Sequence, residues 1–270
     1  MSELLALEFM RNAFLAGMLL STVLAVVSFF VVLRRFSFIG VGVAHSAFGG
    51  VALGVLLGVS PVLSALGFSI IVANAIGWIS RRKEISTDTA IGIFFALAMA
   101  LGVIFIGMSG RYNVDLFGYL FGNILAITRQ ELVIVCVLGI LVLAGIVLFF
   151  KEFLFIAFDQ EVARVNGVPV TLLDHFFLTL LAVAVVICIK MVGIVLVSAL
   201  LVIPGAAASQ VARRYGAMIG VSIAVAVIST TGGLVLSYYA DLASGAVIVT
   251  LAALLFFIAF GLGRLQKTPR

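Results

Sequence analysis

Nine times along this chain an apolar run of about 20 residues gives way to a short polar stretch, and that alternation limits the fold more than any other feature. Lipid offers no hydrogen-bond partners to a backbone, so a run of this length that crosses a bilayer must close its own N–H and C=O groups as a helix. The expected spans lie near 12–33, 38–59, 62–80, 89–108, 132–150, 172–189, 193–210, 217–238 and 245–262. The reading is an all-α polytopic membrane protein of about nine transmembrane helices, forming one transmembrane domain over 1–270. An eight-span alternative has 193–210 entering the membrane without crossing it.

With 64% hydrophobic and 10% charged residues, the chain falls outside the composition of soluble domains. The net charge of +5 is no signal for nucleic acid, because the basic residues sit in clusters between apolar runs and act as topology signals. Arg34, Arg35, Arg81, Arg82, Lys83, Lys151, Arg164, Arg213, Arg214, Arg264, Lys267 and Arg270 fall on one side of the alternation. Only Arg11, Arg111, Arg129 and Lys190 fall on the other. The positive-inside rule makes the first side cytoplasmic, and nine spans then place the N-terminus outside and the C-terminus inside. The first run is too long for a signal-peptide core and ends in Arg34-Arg35, so it is expected to be a retained span. Cys136 and Cys188 lie inside apolar runs and read as small packing residues.

Two connections are unusual. The segment 151–170 is the longest polar island, and within it Phe155, Phe158, Val162 and Val165 recur at the spacing of a short amphipathic helix. Asp159 or Gln160 is expected to start its second half, with Gly167 and Pro169 ending it. Pattern alone leaves two readings open: docking into a soluble partner, or lying on the lipid surface. The segment 109–130 interleaves Arg111, Asn113, Asp115 and Asn123 with aromatic and aliphatic residues, and is expected to be an outer-face element packed on protein. Asp115 there could face an entrance or pair with Arg111. Pro204-Gly205 is expected to break the seventh run.

The second run holds the candidate site. Ser46, Gly50, Gly54 and Gly58 recur every four residues, a small-residue stripe that lets a neighbouring backbone come close. His45 lies roughly 10 Å into the same run, at 1.5 Å per residue. An ionisable side chain inside a span is a functional-site hypothesis, and imidazole is a common ligand for zinc-like metals. The competing reading is a histidine satisfied by a neighbouring helix. Asn74 reads as an interhelical hydrogen-bonding residue, Lys190 as a snorkelling one, and Asp174 with His175 as local capping or interfacial solvation. No Walker A, HExxH or G-x-S-x-G pattern occurs, so no nucleotide site or hydrolase centre is recognised. The chain is expected to catalyse no covalent chemistry and to bind no cofactor covalently.

Six stretches occur in an order characteristic of one family: R-R-F-S-F-I-G-V-G-V-A-H-S-A-F-G-G-V-A-L-G at 34–54, S-T-D-T-A-I-G-I at 86–93, V-D-L-F-G-Y-L-F-G-N-I-L-A-I-T at 114–128, D-Q-E-V-A-R-V-N-G-V at 159–168, S-A-L-L-V-I-P-G-A-A-A at 198–208 and T-G-G-L-V-L-S at 231–237. By these the chain resembles the membrane permease of ATP-binding-cassette importers for zinc, manganese and iron, with a type II importer fold. The resemblance implies a prokaryotic plasma-membrane homodimer with a translocation path between its copies. It also implies two ATPase subunits on the cytoplasmic side and a metal-binding receptor outside. Asp159, Glu161, Ala163, Arg164 and Gly167 would belong to a cytoplasmic coupling helix. The family's intramembrane metal site pairs an Asp and a His four residues apart. His45 occupies the His position, whereas the Asp position is Val41. Two His45 side chains from paired copies would suit zinc better than manganese. The alternatives are a permease for an organic metal chelate, an ATP-independent carrier or channel, and a structural membrane scaffold.

Overall fold

The computed structural model describes residues 8–81, 85–110 and 127–267, without the side chains of 190, 191, 266 and 267. All regular structure among these residues is helical: α1 (Glu8–Leu33), α2 (Ile39–Leu57), α3 (Pro61–Ser80), α4 (Thr87–Ser109), α5 (Arg129–Leu148), α6 (Phe150–Phe158), α7 (Gln160–Val165), α8 (Val170–Leu200), α9 (Ile203–Val211), α10 (Tyr215–Ala240) and α11 (Ser244–Lys267). Nine segments among the described residues are long and apolar enough to cross a bilayer, and Val170–Ile189 and Val192–Val211 count separately. The division falls at Gly193, which interrupts α8 with φ 79° and ψ 165°, a conformation that a side chain would strain.

The bundle has an inner and an outer layer. α1, α2 and the two halves of the 170–211 segment bury about two thirds of their apolar windows, whereas α4, α5 and α11 bury under a quarter. α8 stands between two groups, with α2, α3 and α4 on one side and α1, α9, α10 and α11 on the other. The outer helices expose leucine, isoleucine and valine along their length, as lipid-facing helices must.

Helix ends follow local chemistry. Ser86 caps α4, its hydroxyl accepting from Thr89 N at 3.1 Å. Thr128 and Glu131 form a reciprocal capping box, so α5 begins three residues earlier than the apolar run suggests. The break expected at Pro204-Gly205 lies just upstream, at Leu201–Val202; Pro204 is accommodated in the first turn of α9, where its missing N–H costs nothing. The next N–H, on Gly205, donates to Ser28 Oγ of α1 at 2.9 Å. A Cβ on Gly205 would stand 2.7 Å from the Ser28 carbonyl oxygen, so only glycine permits this approach.

Close packing of α2 also rests on glycine. A Cβ on Gly50 would lie 2.6 Å from Ala65 Cα, and one on Gly54 would lie 2.8 Å from Pro61 Cα, both on α3. Gly42 and Gly49 form a second stripe, seven residues apart, against Ile91 and the Ala98 carbonyl of α4. Gly58 has a different place from the rest of its stripe: it is the left-handed C-cap of α2, with nothing near its Cβ direction. We expect Gly50→Ala to lower stability by about 1–3 kcal/mol through overpacking. Gly92→Ala, with open space around it, should be neutral or slightly stabilising, and thermal unfolding of both variants in detergent checks the contrast.

Candidate functional site

His45 lies half-buried on α2, one turn from Val41, which is half-buried on the same face. Its Nδ1 is 2.9 Å from the Val41 carbonyl oxygen. A carbonyl only accepts, so Nδ1 is the donor in this contact and Nε2 is the ring nitrogen it leaves uncommitted. Metal-ligating histidines commonly have their other ring nitrogen held in this way by a backbone acceptor. The ring also packs edge-on against Phe95 of α4, centroid to centroid 4.9 Å. Among the described residues no three His, Cys, Asp or Glu side chains gather into a cluster able to hold a metal ion. Asp115 and the core of the 109–130 element lie outside the described residues. Ser46 is buried, its hydroxyl donating to Val43 O at 2.7 Å, while Gly50 and Gly54 are occupied by α3.

The 151–170 island folds as two short helices bent at Asp159. α6 is anchored by Phe153, fully buried among Phe30 of α1 and Phe177 of α8 with ring centroids 5.6–6.0 Å apart. Asp159 is extended and caps α7, its carboxylate accepting from Glu161 N at 3.0 Å and Val162 N at 2.9 Å. Ala163 is fully buried, and Gly167, at φ 83°, turns the chain toward α8 with Val168 N bonded back to Ala163 O at 3.1 Å. Glu161 and Arg164 are exposed. The apolar residues that set the helical spacing divide: Phe155 is half-buried, but Phe158, Val162 and Val165 are 69%, 46% and 87% exposed. They form an uncovered apolar face at the arginine-rich end of the bundle.

Behind that face lies a buried charge cluster that sequence reasoning missed. Asp174, in the first turns of α8, pairs with Arg34 at the end of α1 and stands 3.7 Å from Arg81 at the end of α3. Gln160 of α7 donates to its other carboxylate oxygen at 3.1 Å. Asp174 is thus an interhelical acceptor rather than a solvated cap. Burial pushes the Arg34 guanidinium below its usual pKa, Asp174 opposes that shift, and Arg81 adds to it. Arg34 also stacks over Phe36 and Phe177, centroid distances 5.0 and 5.1 Å. Nearby, His175 Nδ1 meets Asn74 Oδ1 at 2.7 Å and Asn74 donates to Thr179 at 3.1 Å, so Asn74 bridges α3 and α8. The only advance signal was a carboxylate entering an apolar run near two basic clusters; its partner Arg34 is 140 residues away.

The spans form a multi-helix membrane bundle with a two-helix elbow at one end, and the proteins it is similar to are transport permease subunits rather than enzymes. Residues 6–263 match the model of the ABC 3 transport family, and the chain belongs to that family. It is 36% identical over 96% of its length to the manganese transport system membrane protein MntC of Halalkalibacterium halodurans, covering 88% of that protein. It is 34% identical to the high-affinity zinc uptake system membrane protein ZnuB of Haemophilus influenzae, covering 93% of this chain and 97% of that one. Among solved structures, PsaBC from Streptococcus pneumoniae in complex with Fab aligns with a TM-score of 0.85 at 34% identity, covering 96% of this chain and 93% of that one. The permease resemblance expected from the six stretches is thereby met, and the protein is a multi-pass membrane protein.

Removing the Asp159 cap tests how the elbow is held. Asp159→Ala is expected to cost α7 about 1 kcal/mol and to speed amide exchange over 160–166. Residues 150–158, anchored by Phe153, should stay protected in the same hydrogen-exchange measurement.

Proposed function

We propose that this chain is the permease subunit of an ATP-driven importer of divalent transition metal ions in a prokaryotic plasma membrane, with zinc the favoured ion and manganese or iron the alternatives. Two copies form the path, two ATPase subunits grip the cytoplasmic side, and a metal-binding receptor docks outside. The observation that carries this reading is the elbow of α6 and α7. Phe158, Val162 and Val165 are uncovered at the end of the bundle that holds Arg34, Arg81 and Arg164, the end that the positive-inside rule places in the cytoplasm. An elbow of two short helices with three apolar side chains facing water suits docking into a groove of a soluble partner. Asp159, Glu161, Ala163, Arg164 and Gly167 build that helix, and its inner side is anchored to the spans, so a push on it is felt inside the membrane. The C-terminus then lies inside and the N-terminus outside.

The ion passes near His45. Relatives of similar identity carry names for manganese, zinc and iron transport, so family membership alone does not choose the metal. The residue one turn before His45 bears on that choice. Valine at position 41 supplies no carboxylate, and a site built from neutral imidazoles with water or backbone oxygen favours zinc over the harder manganese ion. The small-residue stripe of Ser46, Gly50 and Gly54 serves the path by keeping α2 close to α3, which fixes where His45 stands.

Three substitutions test this reading in proteoliposomes containing the permease, its ATPase and its receptor. Val165→Asp should abolish co-purification of the ATPase, since a carboxylate at the docking face must be desolvated. His45→Ala should reduce metal uptake at least about tenfold while the complex still assembles. Val41→Asp should shift preference from zinc toward manganese. ATP-independent uptake by the purified chain, or wild-type uptake and selectivity in His45→Ala, would refute the proposal.

A further inference from the structure

Asp174 joins four parts of the molecule through one carboxylate. Oδ1 takes Arg34, which leads into α2; Oδ2 takes the Gln160 amide of α7 at 3.1 Å and lies 3.7 Å from Arg81 at the end of α3. Arg81 also donates to the Thr171 carbonyl at 3.1 Å, fixing it to the same turn of α8. Both Asp174 and Arg34 have side chains only 7% exposed. A carboxylate this buried is retained only with its partners, and it holds two guanidinium groups that otherwise repel each other.

The space around this cluster is not packed. A cavity of about 310 Å³ separates α7 from the ends of α1 and α3, lined by Arg34, Arg81, Gln160, Glu161, Arg164 and Asp174 among others. Close-packed interiors transmit displacement because they barely compress; a gap of this size does not. Across this gap, movement of α7 therefore reaches the spans through the Gln160–Asp174 bond, beside the packing of Ala163 on the opposite side of the helix. From Asp174 the connection runs to Arg34, and the turn after Arg34 is itself hydrogen-bonded, Phe36 N to Val31 O and Ile39 N to Phe36 O, both 2.9 Å. Ile39 begins α2, the helix that carries His45.

We infer that Asp174 is a positioning residue that transmits displacement of α7 to α2, receiving it from Gln160 and passing it to Arg34. The inference rests on the reading of α7 as the ATPase-facing helix. It separates two properties that docking alone would keep together: Gln160 and Asp174 govern how much metal moves per ATP, whereas Phe158, Val162 and Val165 govern whether the ATPase binds.

The test measures ATP hydrolysis and uptake of labelled zinc or manganese in proteoliposomes of the complete importer. Gln160→Ala removes the bond at an exposed position without leaving a buried charge unpaired, so the chain should fold and retain its ATPase. Metal moved per ATP should fall at least about fivefold, the lower end of measured coupling free energies. Asp174→Ala should fall as far or further, Asp174→Glu should recover part of the loss, and the Gln160→Ala/Asp174→Ala double variant should be no worse than Asp174→Ala alone. Wild-type stoichiometry in Gln160→Ala, or losses that multiply in the double variant, would overturn the inference while leaving the importer reading intact. Absence of ATP-dependent uptake with the wild-type chain would overturn both, and it would be seen before any variant is made.

Discussion

Within the membrane every backbone hydrogen bond has to be closed without water, and the places where the spans fail to close their own decide how the inner layer is assembled. The 170–211 segment is interrupted at Gly193 and again at Leu201–Val202. At the second break the exposed N–H of Gly205 is met by the Ser28 hydroxyl, which requires α1 to pass within contact of the α9 backbone. Glycine at 205 and serine at 28 thus do one job together. Ser222 of α10 adds a further bond to α1, donating to Ala25 O at 2.9 Å, so α1 is tied to both helices.

The same economy governs charge. Arg34 and Asp174 are buried because each is the other's partner; either alone would leave an uncompensated ion where water is scarce. The pair sits beneath an elbow whose outer face is apolar and uncovered, and α6 is locked to α1 and α8 by aromatic rings. Rigid attachment on one side of the elbow and a cavity on the other give it a preferred line of connection into the bundle. In the proposed transmission, that asymmetry is what relates a surface helix to a histidine in the second span.

Much of this was readable from residue order. Apolar run length predicted the spans, and the structure moved their ends by a few residues where caps such as Ser86 and Thr128 outrank hydropathy. The three-to-four spacing of Phe158, Val162 and Val165 identified the elbow, and Asp159 its midpoint. The four-residue stripe predicted close approach of α2, but spacing could not tell that Gly58 ends the helix while Gly42 and Gly49 pack on a different neighbour. Asp174 was misjudged because nothing local marks it: a carboxylate near a helix start reads as a cap until its partner, 140 residues away, is in place.

Sequence by itself determined that this chain spans a bilayer many times and that one polar island is a helix with an apolar face, because helical closure and hydrophobic period are local consequences of residue type. It also determined that His45 stands in a span without the carboxylate one turn before it. Tertiary structure alone decided which side chains meet. The hydrogen bond of His45 Nδ1 follows from the Val41 carbonyl, the exposure of the elbow from what does not cover it, and the Arg34–Asp174–Arg81 cluster from three helix ends brought together. Local pattern carries no information about such distant pairings, since the energy that selects them is that of burying charge only where opposite charge is already waiting.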